Sequence, residues 1–305
     1  MLPKIVFLDR ATLTVPLRPL GLPHEWTEYP DSSPEDAIER LKDATVVITN
    51  KVVIDENILQ HAPELKLVAV SATGYNIVDI NACKARGVAV CNVRDYALTG
   101  VTEHALLLML ALRRQLPAYR DRLRAGDWQK SDAFYLTEPP LHDLAGSTLA
   151  IIGGGTLGKG LAEIATALGM RVIFAEHKGA TAIRLGRVAF HDALEQADVV
   201  SLHCPLTPET RLLIGAAELA RMKPNAILIN TARGGIVDEA ALQSGRIAGA
   251  GVDVLSEEPP RNGNPLLDAD LPNLIVTPHT AWASVETVHK LAEQLIGNIE
   301  AFLRG

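Results

Sequence analysis

Three polar residues follow three apolar runs in the last third of the chain. Arg233 closes "AILINTAR", Glu258 lies past "AGAGVDVL" in "SEEPP", and His279 ends "NLIVTPH". Each has an ordinary reading on its own. Arg233 could pair at the surface, Glu258 is one of two acids in a turn, and histidine titrates near neutrality wherever it sits. Together they are a coherent set for reducing a carbonyl by hydride. That reaction needs a proton donor for the developing alkoxide, and histidine supplies one near neutral pH. A carboxylate beside an imidazole favours its charged form. An α-keto acid carries a carboxylate of its own, which a guanidinium grips while polarising the adjacent carbonyl.

The hydride itself must come from a cofactor, and "IIGGGTLGKG" offers a place for one. Gly153, Gly155 and Gly158 stand in G-x-G-x-x-G register between an apolar run and an alanine- and leucine-rich helical stretch. In that context the first glycine makes the tight turn, the second lets a pyrophosphate approach the backbone, and the third lets helix and strand pack closely. The phosphates then lie at a helix N-terminus, facing free N–H groups. Glu176 ends the next strand, 18 residues after Gly158. An acid there hydrogen-bonds the ribose 2′-hydroxyl of NAD and repels a 2′-phosphate. NAD is therefore expected and NADP disfavoured by Glu176, although His177 and Lys178 could partly accommodate a phosphate.

These residues need a parallel sheet to bring them together, because ligands in open α/β sheets bind beyond the carboxyl ends of the strands. The sequence provides two. "KIVFLD", "ATVVITN", "KLVAVSA" and "GVAVCN" read as buried strands alternating with helices such as "SPEDAIERLKD", where Ser33 caps and Pro34 opens the first turn. Residues 99–126 read as one long helical stretch, apolar almost all round in its first half. The alternation restarts at Thr148, and a closing helix begins near Ala283. The expected fold class is α/β, with two Rossmann-like doubly wound parallel-sheet domains. Residues 1–99 with 283–305 are expected to form a discontinuous substrate domain, and 100–282 the inserted cofactor domain.

The bulk numbers narrow the partners. The chain has 305 residues, 48% of them hydrophobic, enough for two domains with sizeable cores. A net charge of −7 argues against nucleic-acid or membrane-surface binding. Cys83, Cys91 and Cys204 form no CxxC pair and no metal spacing, which fits a reducing compartment. "MLPKIVFLDR" is no signal peptide, and the apolar run "ALLLMLAL" is too short to span a bilayer. The expectation is a cytoplasmic protein without a metal site.

The sequence also resembles the D-isomer-specific 2-hydroxyacid dehydrogenases over nearly its whole length. The segments that carry the resemblance are "SATGYNIVDI", "VTEHALLLMLALRR", "GGGTLG", "ADVVSLHCPLTPETRLLI", "MKPNAILINTARGGIVDEAAL", "AGAGVDVLSEEPP" and "LPNLIVTPHTAW". "FLDRATL", "FAEHKGA" and "PHTAWAS" are most similar to the glycerate dehydrogenase (hydroxypyruvate reductase) branch. The resemblance implies that Arg233 binds and polarises the substrate, that Glu258 pairs with His279, and that His279 is the proton donor. It implies that Thr156, Leu157 and Gly158 cradle the pyrophosphate. It also implies that Thr231, Ala232 and Asp253 lie near the nicotinamide, and that His203, Cys204 and Pro205 border the adenosine. Thr102 is a further cofactor candidate. The loop around Ala72, Thr73 and Gly74 is implied to hold the substrate carboxylate. Trp282, three residues beyond His279, is expected either to pack in the core, the commoner role of a tryptophan, or to line the substrate pocket. A homodimer formed through the 100–113 helix is implied as well. The reaction expected is NADH-dependent reduction of hydroxypyruvate or glyoxylate to the D-2-hydroxy acid. The alternatives are a dehydrogenase for a larger acid such as 3-phosphoglycerate, and a non-catalytic NAD-sensing protein similar to corepressors. One departure stands out: the helix that feeds the "AGAGVDV" strand is expected to be unusually short, because Gln243 and Ser244 follow Leu242 directly.

Overall fold

The structure is a computed structural model, and it describes residues 2–269, 271 and 273–305. Met1, within the expected first domain, and Pro272, within one of the quoted segments, lie outside the described residues. The chain divides into two compact units, Met1–Ala97 with Ala283–Gly305 and Leu98–Trp282. Leu98 and Thr99, expected in the outer unit, belong to the inserted one because they open its first helix.

The outer unit is a five-stranded parallel sheet in the order β2-β1-β3-β4-β5. Its strands are β1 (Lys4–Phe7), β2 (Glu25–Glu28), β3 (Val46–Thr49), β4 (Leu67–Val70) and β5 (Ala89–Asn92). β3 and β4 are buried at every position, as central strands covered on both faces must be. β2, "EWTE", carries no apolar pattern and went unread in the sequence; it is an edge strand held by its ladder to β1. Helices α1 (Pro34–Arg40), α2 (Glu56–Gln60) and α3 (Ile80–Ala85) begin on the side-chain caps Ser33, Asp55 and Asp79, and Ser33 forms a capping box with Asp36. The last helix of the chain (Val285–Arg304) returns to this sheet. It is anchored through Glu300, which accepts from Arg18 Nη1 at 2.7 Å and Gly21 N at 2.7 Å.

The inserted unit begins with two helices, α4 (Leu98–Arg113) and α5 (Leu116–Arg124). The single long helix expected over 99–126 is broken at Gln115, which has φ 53°, with Pro117 just beyond it. Pro117 lacks an N–H and is tolerated only in the first turn of a new helix. α4 buries Ala105, Leu108, Met109 and Leu112 and leaves Leu107 and Leu110 exposed. Glycine lets it lie close to the sheet, since a Cβ on Gly251 would come within 3.0 Å of Leu108.

A seven-stranded parallel sheet follows, in the order β12-β11-β10-β9-β6-β7-β8. Its strands are β6 (Thr148–Ile152), β7 (Arg171–Ala175), β8 (Arg187–Val188), β9 (Val199–Leu202), β10 (Ile227–Asn230), β11 (Gly249–Val252) and β12 (Leu274–Val276). The helices between them are α6 (Thr156–Ala167), α7 (Phe190–Gln196), α8 (Ala216–Arg221) and α9 (Glu239–Gln243). α9 has five residues, the short helix that the sequence foreshadowed. The chain leaves β6 toward β7 on one side and later returns to β9 on the other, so the topological switch lies between β6 and β9. No described helix is long and apolar enough to cross a membrane.

Candidate active site

Strand register alone assembles the rim of the site. The ladders pair Ile152 with Leu202, Leu202 with Asn230, Asn230 with Val252 and Val252 with Val276. These residues form one row across the sheet. The next residue on each chain therefore lies on the carboxyl rim: Gly153, His203, Thr231, Asp253 and Thr277. Arg233, Glu258 and His279 all come from the loops that begin there.

At the switch point the glycines have distinct reasons. Gly153 has φ 106°, and a Cβ on it would lie 2.5 Å from the His203 carbonyl carbon, so the β6 turn closes against the β9 turn. A Cβ on Gly158 would lie 2.1 Å from Gly153 O. Gly155 differs: a Cβ there meets nothing within 4 Å. Gly155 is also the N-cap of α6, with no side chain capping the helix. The first-turn amides, with Thr156 and Leu157 leading the helix, thus open onto free space, an anion cradle by geometry and dipole. Two buried polar atoms on the same rim, Thr231 Oγ1 and His203 Nδ1, have no partner among the described residues. Such atoms are costly unless something bonds them. The open cradle and these two atoms fit a dinucleotide. Burial holds the His203 imidazole down to about 4, so the ring is neutral. Thr102 is buried, and its hydroxyl bonds within its own helix to Leu98 O and Thr99 O. Cys204 is half-buried beside His203, its thiol pushed up to about 11 by burial, and Pro205 is exposed.

Glu176, just past β7, is buried at 3% exposure. Its partner is one the sequence reading missed: Arg184 donates to it from Nε at 2.7 Å and from Nη2. The guanidinium holds the carboxyl well below the usual carboxylate range. Lys178, read as a possible phosphate ligand, instead pairs with Glu218 at 2.9 Å.

On the other side of the switch, His279 Nδ1 lies 2.6 Å from Glu258 Oε2. His279 has φ 54°, a conformation that L-residues other than glycine adopt at a cost and hold only when their surroundings over-determine it. Those surroundings are explicit. His279 N donates to Asp253 O at 2.8 Å, Thr280 N to Asp253 Oδ1 at 2.9 Å and Ala281 N to Asp253 Oδ2 at 2.9 Å. Thr277 Oγ1 donates to Asp253 Oδ1 at 2.5 Å, and His104 Nε2 lies 3.0 Å from Thr277 Oγ1. Asp253 is 1% exposed, with both carboxylate oxygens taken by the histidine loop.

Glu258 is fixed in turn by Leu255 N, which donates to its Oε1 at 2.9 Å. Behind that loop stands Glu239, on the short α9. It accepts from Ser256 N, Ser256 Oγ and Asn264 Nδ2, each at 2.7 Å. The shortened helix therefore keeps its hold on the glutamate loop. Arg233 is exposed, and its Nη1 donates to Ala232 O at 2.6 Å. Its turn is stitched by Asn230, whose Oδ1 accepts from Ala232 N and whose Nδ2 donates to Arg233 O, both at 3.1 Å. A Cβ on Gly234 would lie 1.7 Å from Leu255 O, so the arginine loop and the glutamate loop touch backbone to backbone. Arg184 lies outside every quoted motif, and although Asn230, His104 and Glu239 fall within such segments, the sequence reading gave them no role in the site; those of His104 and Glu239 arise from contacts distant in sequence, while Asn230 acts on its own turn.

Trp282 is half-buried at the end of this unit. Ala72, Thr73 and Gly74 belong to the outer unit. There Thr73 Oγ1 donates to Val93 O at 3.0 Å, and Asn92 Nδ2 donates to Thr73 O at 2.7 Å, which braces the loop after β4. Among the described residues, no group of His, Cys, Asp and Glu is arranged to hold a metal.

Residues 106–281 match the D-isomer specific 2-hydroxyacid dehydrogenase, NAD binding domain. The chain is 50% identical over 310 residues to a glycerate dehydrogenase of Methylorubrum extorquens, covering 100% of this chain and 98% of that one. A crystal structure of a Thermus thermophilus protein superposes with TM-score 0.84 at 32% identity, covering 99% and 97% of the two chains. An NADPH-dependent glyoxylate/hydroxypyruvate reductase from Sinorhizobium meliloti superposes with TM-score 0.81 at 27% identity, covering 99% and 95%. The chain belongs to the D-isomer-specific 2-hydroxyacid dehydrogenase family, in its glycerate dehydrogenase and hydroxypyruvate reductase branch, and is a nicotinamide-nucleotide-dependent oxidoreductase acting on CH–OH groups.

Proposed function

We propose that the chain reduces a short 2-keto acid, hydroxypyruvate or glyoxylate, to the D-2-hydroxy acid. The observation that carries this reading is the 2.6 Å bond between His279 Nδ1 and Glu258, on the rim that also bears the Arg233 turn. With Nδ1 engaged, Nε2 is the nitrogen left to give a proton to the substrate carbonyl oxygen as it gains negative charge. Glu258 holds the ring in place and balances its positive form. Arg233 grips the substrate carboxylate and polarises the carbonyl, which its exposed guanidinium suits. Asp253 acts through the loop it clamps, as a positioning residue. A reduced nicotinamide nucleotide, when bound, supplies the hydride. The Gly155 cradle with Thr156, Leu157 and Gly158 would hold its pyrophosphate, Thr231 and Ala232 would border its nicotinamide, and Glu176, His203, Cys204 and Pro205 its adenosine. Likeness to a glycerate dehydrogenase and to a glyoxylate/hydroxypyruvate reductase supports the short substrate. The exposed Leu107 and Leu110 on α4 support pairing of two copies through that helix.

The test is the initial rate of reduced-nucleotide oxidation with hydroxypyruvate, glyoxylate, pyruvate and 3-phosphohydroxypyruvate. The expected result is fastest turnover with hydroxypyruvate or glyoxylate. Faster turnover with 3-phosphohydroxypyruvate would replace the substrate assignment. No turnover with any of them, despite nucleotide binding, would overturn the catalytic reading.

A further inference from the structure

Glu176 has no acceptor position left for a ribose hydroxyl. Its Oε1 takes His177 N at 2.9 Å and Arg184 Nη2, and its Oε2 takes Arg184 Nε at 2.7 Å and Arg184 N at 3.2 Å. A carboxylate offers about four lone-pair sites, and all are in use. The repulsion that a bare acid would exert on a 2′-phosphate is offset by the guanidinium bound to it in bidentate fashion. That guanidinium is not itself enclosed, for the Arg184 side chain is 55% exposed.

A second guanidinium stands between the end of β7 and the glycine loop. Arg187 Nη1 donates to Ala175 O at 2.8 Å. A Cβ on Gly154 would lie 2.8 Å from Arg187 Nη2, so the arginine lies directly against the loop. The end of β7 thus carries two arginines against one buried acid, a net positive charge beside the nucleotide cradle. Lys178 contributes nothing to this cluster, being paired with Glu218.

We propose that Arg184 and Arg187 form a 2′-phosphate subsite, so that this chain binds 2′-phosphorylated adenine nucleotides in preference to their 2′-hydroxyl counterparts. The proposal rests on reading the Gly153–Gly158 loop as the nucleotide site, and it reverses the preference that Glu176 alone would set. A phosphate dianion gains two charge-assisted partners there, whereas a ribose hydroxyl would have to displace Arg184 from Glu176 to gain one. Arg184 is the specificity-determining residue in this account. Arg187 has a second duty in bracing Ala175, which makes Arg184 the cleaner position to change.

The experiment is calorimetric titration of the protein with adenosine 2′,5′-bisphosphate and, separately, with 5′-AMP, which needs no turnover. The bisphosphate is expected to bind more tightly to the native chain. Arg184→Ala is expected to lower the ratio of the two affinities by about tenfold, the scale of one charge-assisted contact. Arg184→Lys, which keeps the charge, is expected to recover part of that ratio. Tighter binding of 5′-AMP to the native chain would overturn the subsite while leaving the nucleotide site standing. An Arg184→Ala variant that weakens both ligands equally would assign Arg184 a purely structural role and would also overturn it. Failure of both ligands, and of the whole reduced dinucleotide, to bind would overturn the subsite together with the nucleotide-site reading beneath it.

Discussion

Glu258 holds His279 by Nδ1 at 2.6 Å, and Leu255 N holds the other oxygen of Glu258 at 2.9 Å. The imidazole is therefore oriented through one nitrogen while the other remains for a substrate. His279→Ala removes the proton donor and should lower kcat by roughly 10²–10⁴. Its nucleotide affinity, read by quenching of protein fluorescence, should stay near that of the native chain. Glu258→Gln keeps a partner for Nδ1 but no charge, and it should cost less than His279→Ala. The double variant should be no slower than His279→Ala, because residues that act as one unit are not additive. Near-normal turnover in His279→Ala would refute the assignment.

Glu239 contacts neither histidine nor substrate in this scheme, yet it holds the loop that carries Glu258. Its side chain accepts three hydrogen bonds in a buried setting, from Ser256 N, Ser256 Oγ and Asn264 Nδ2. Leaving such donors unpaired costs about 1–3 kcal/mol, so Glu239→Ala should melt roughly 3–10 °C lower. Glu239→Gln should do little better, because its amide NH₂ would face donors. If Glu239 positions Glu258, kcat falls in both variants while the KM for the nucleotide stays unchanged. A loss of stability with full kcat would leave Glu239 a structural role only.

Two glycines of the site should respond in opposite ways to alanine. At Gly234 a Cβ would lie 1.7 Å from Leu255 O, backbone against backbone, with no side chain free to turn away. Gly234→Ala should therefore cost about 3 kcal/mol or more and separate the arginine loop from the glutamate loop. At Gly155 the Cβ enters open space at an ordinary φ of −78°. Gly155→Ala should melt within about 0.5 kcal/mol of the native chain, like a surface change. It should nevertheless weaken nucleotide binding by about tenfold, or about 1.4 kcal/mol, because the methyl fills the cradle. Equal effects of the two variants on stability would contradict the close approach at Gly234.

The order of apolar strands and the residue types that follow them make the sheet rim legible in the sequence. Gly153, Thr231 and Asp253 fall on that rim because each comes directly after a buried run. Period and propensity could not reveal what lies across the chain from these residues. Arg184 sits in an irregular stretch, 177–186, with no helical or strand pattern, and only the return of β8 to β7 brings it onto Glu176. Glu239 meets Ser256 across 17 residues, and His104 meets Thr277 across 173. The positive φ of His279 is set by Asp253, a tertiary cause invisible to local sequence. Pro117, by contrast, was a visible signal for the break between α4 and α5, outweighed in the reading by the apolar run before it.

The outer unit offers a pH test free of the site. Glu300 on the closing helix accepts from the Arg18 guanidinium and from Gly21 N, and the Arg18 bond, the larger cause, holds its carboxyl at about 2. A carboxylate whose folded value is depressed contributes stability above its unfolded value, near 4.5 for this residue. That contribution disappears as pH falls through the window toward about 2. Glu300→Gln removes the charge and turns an amide NH₂ toward the Arg18 donors, so the gap in Tm between the native chain and this variant reports the ionised carboxylate together with the bonds it accepts. The gap should be constant from pH 7 down to about 4.5, then narrow steadily and nearly close at the acid end. It should also shrink with added salt at pH 7, since the Arg18 side chain is partly open to solvent. A gap that persists unchanged at the lowest pH would mean that Glu300 holds the closing helix by shape and hydrogen bonding rather than by its charge.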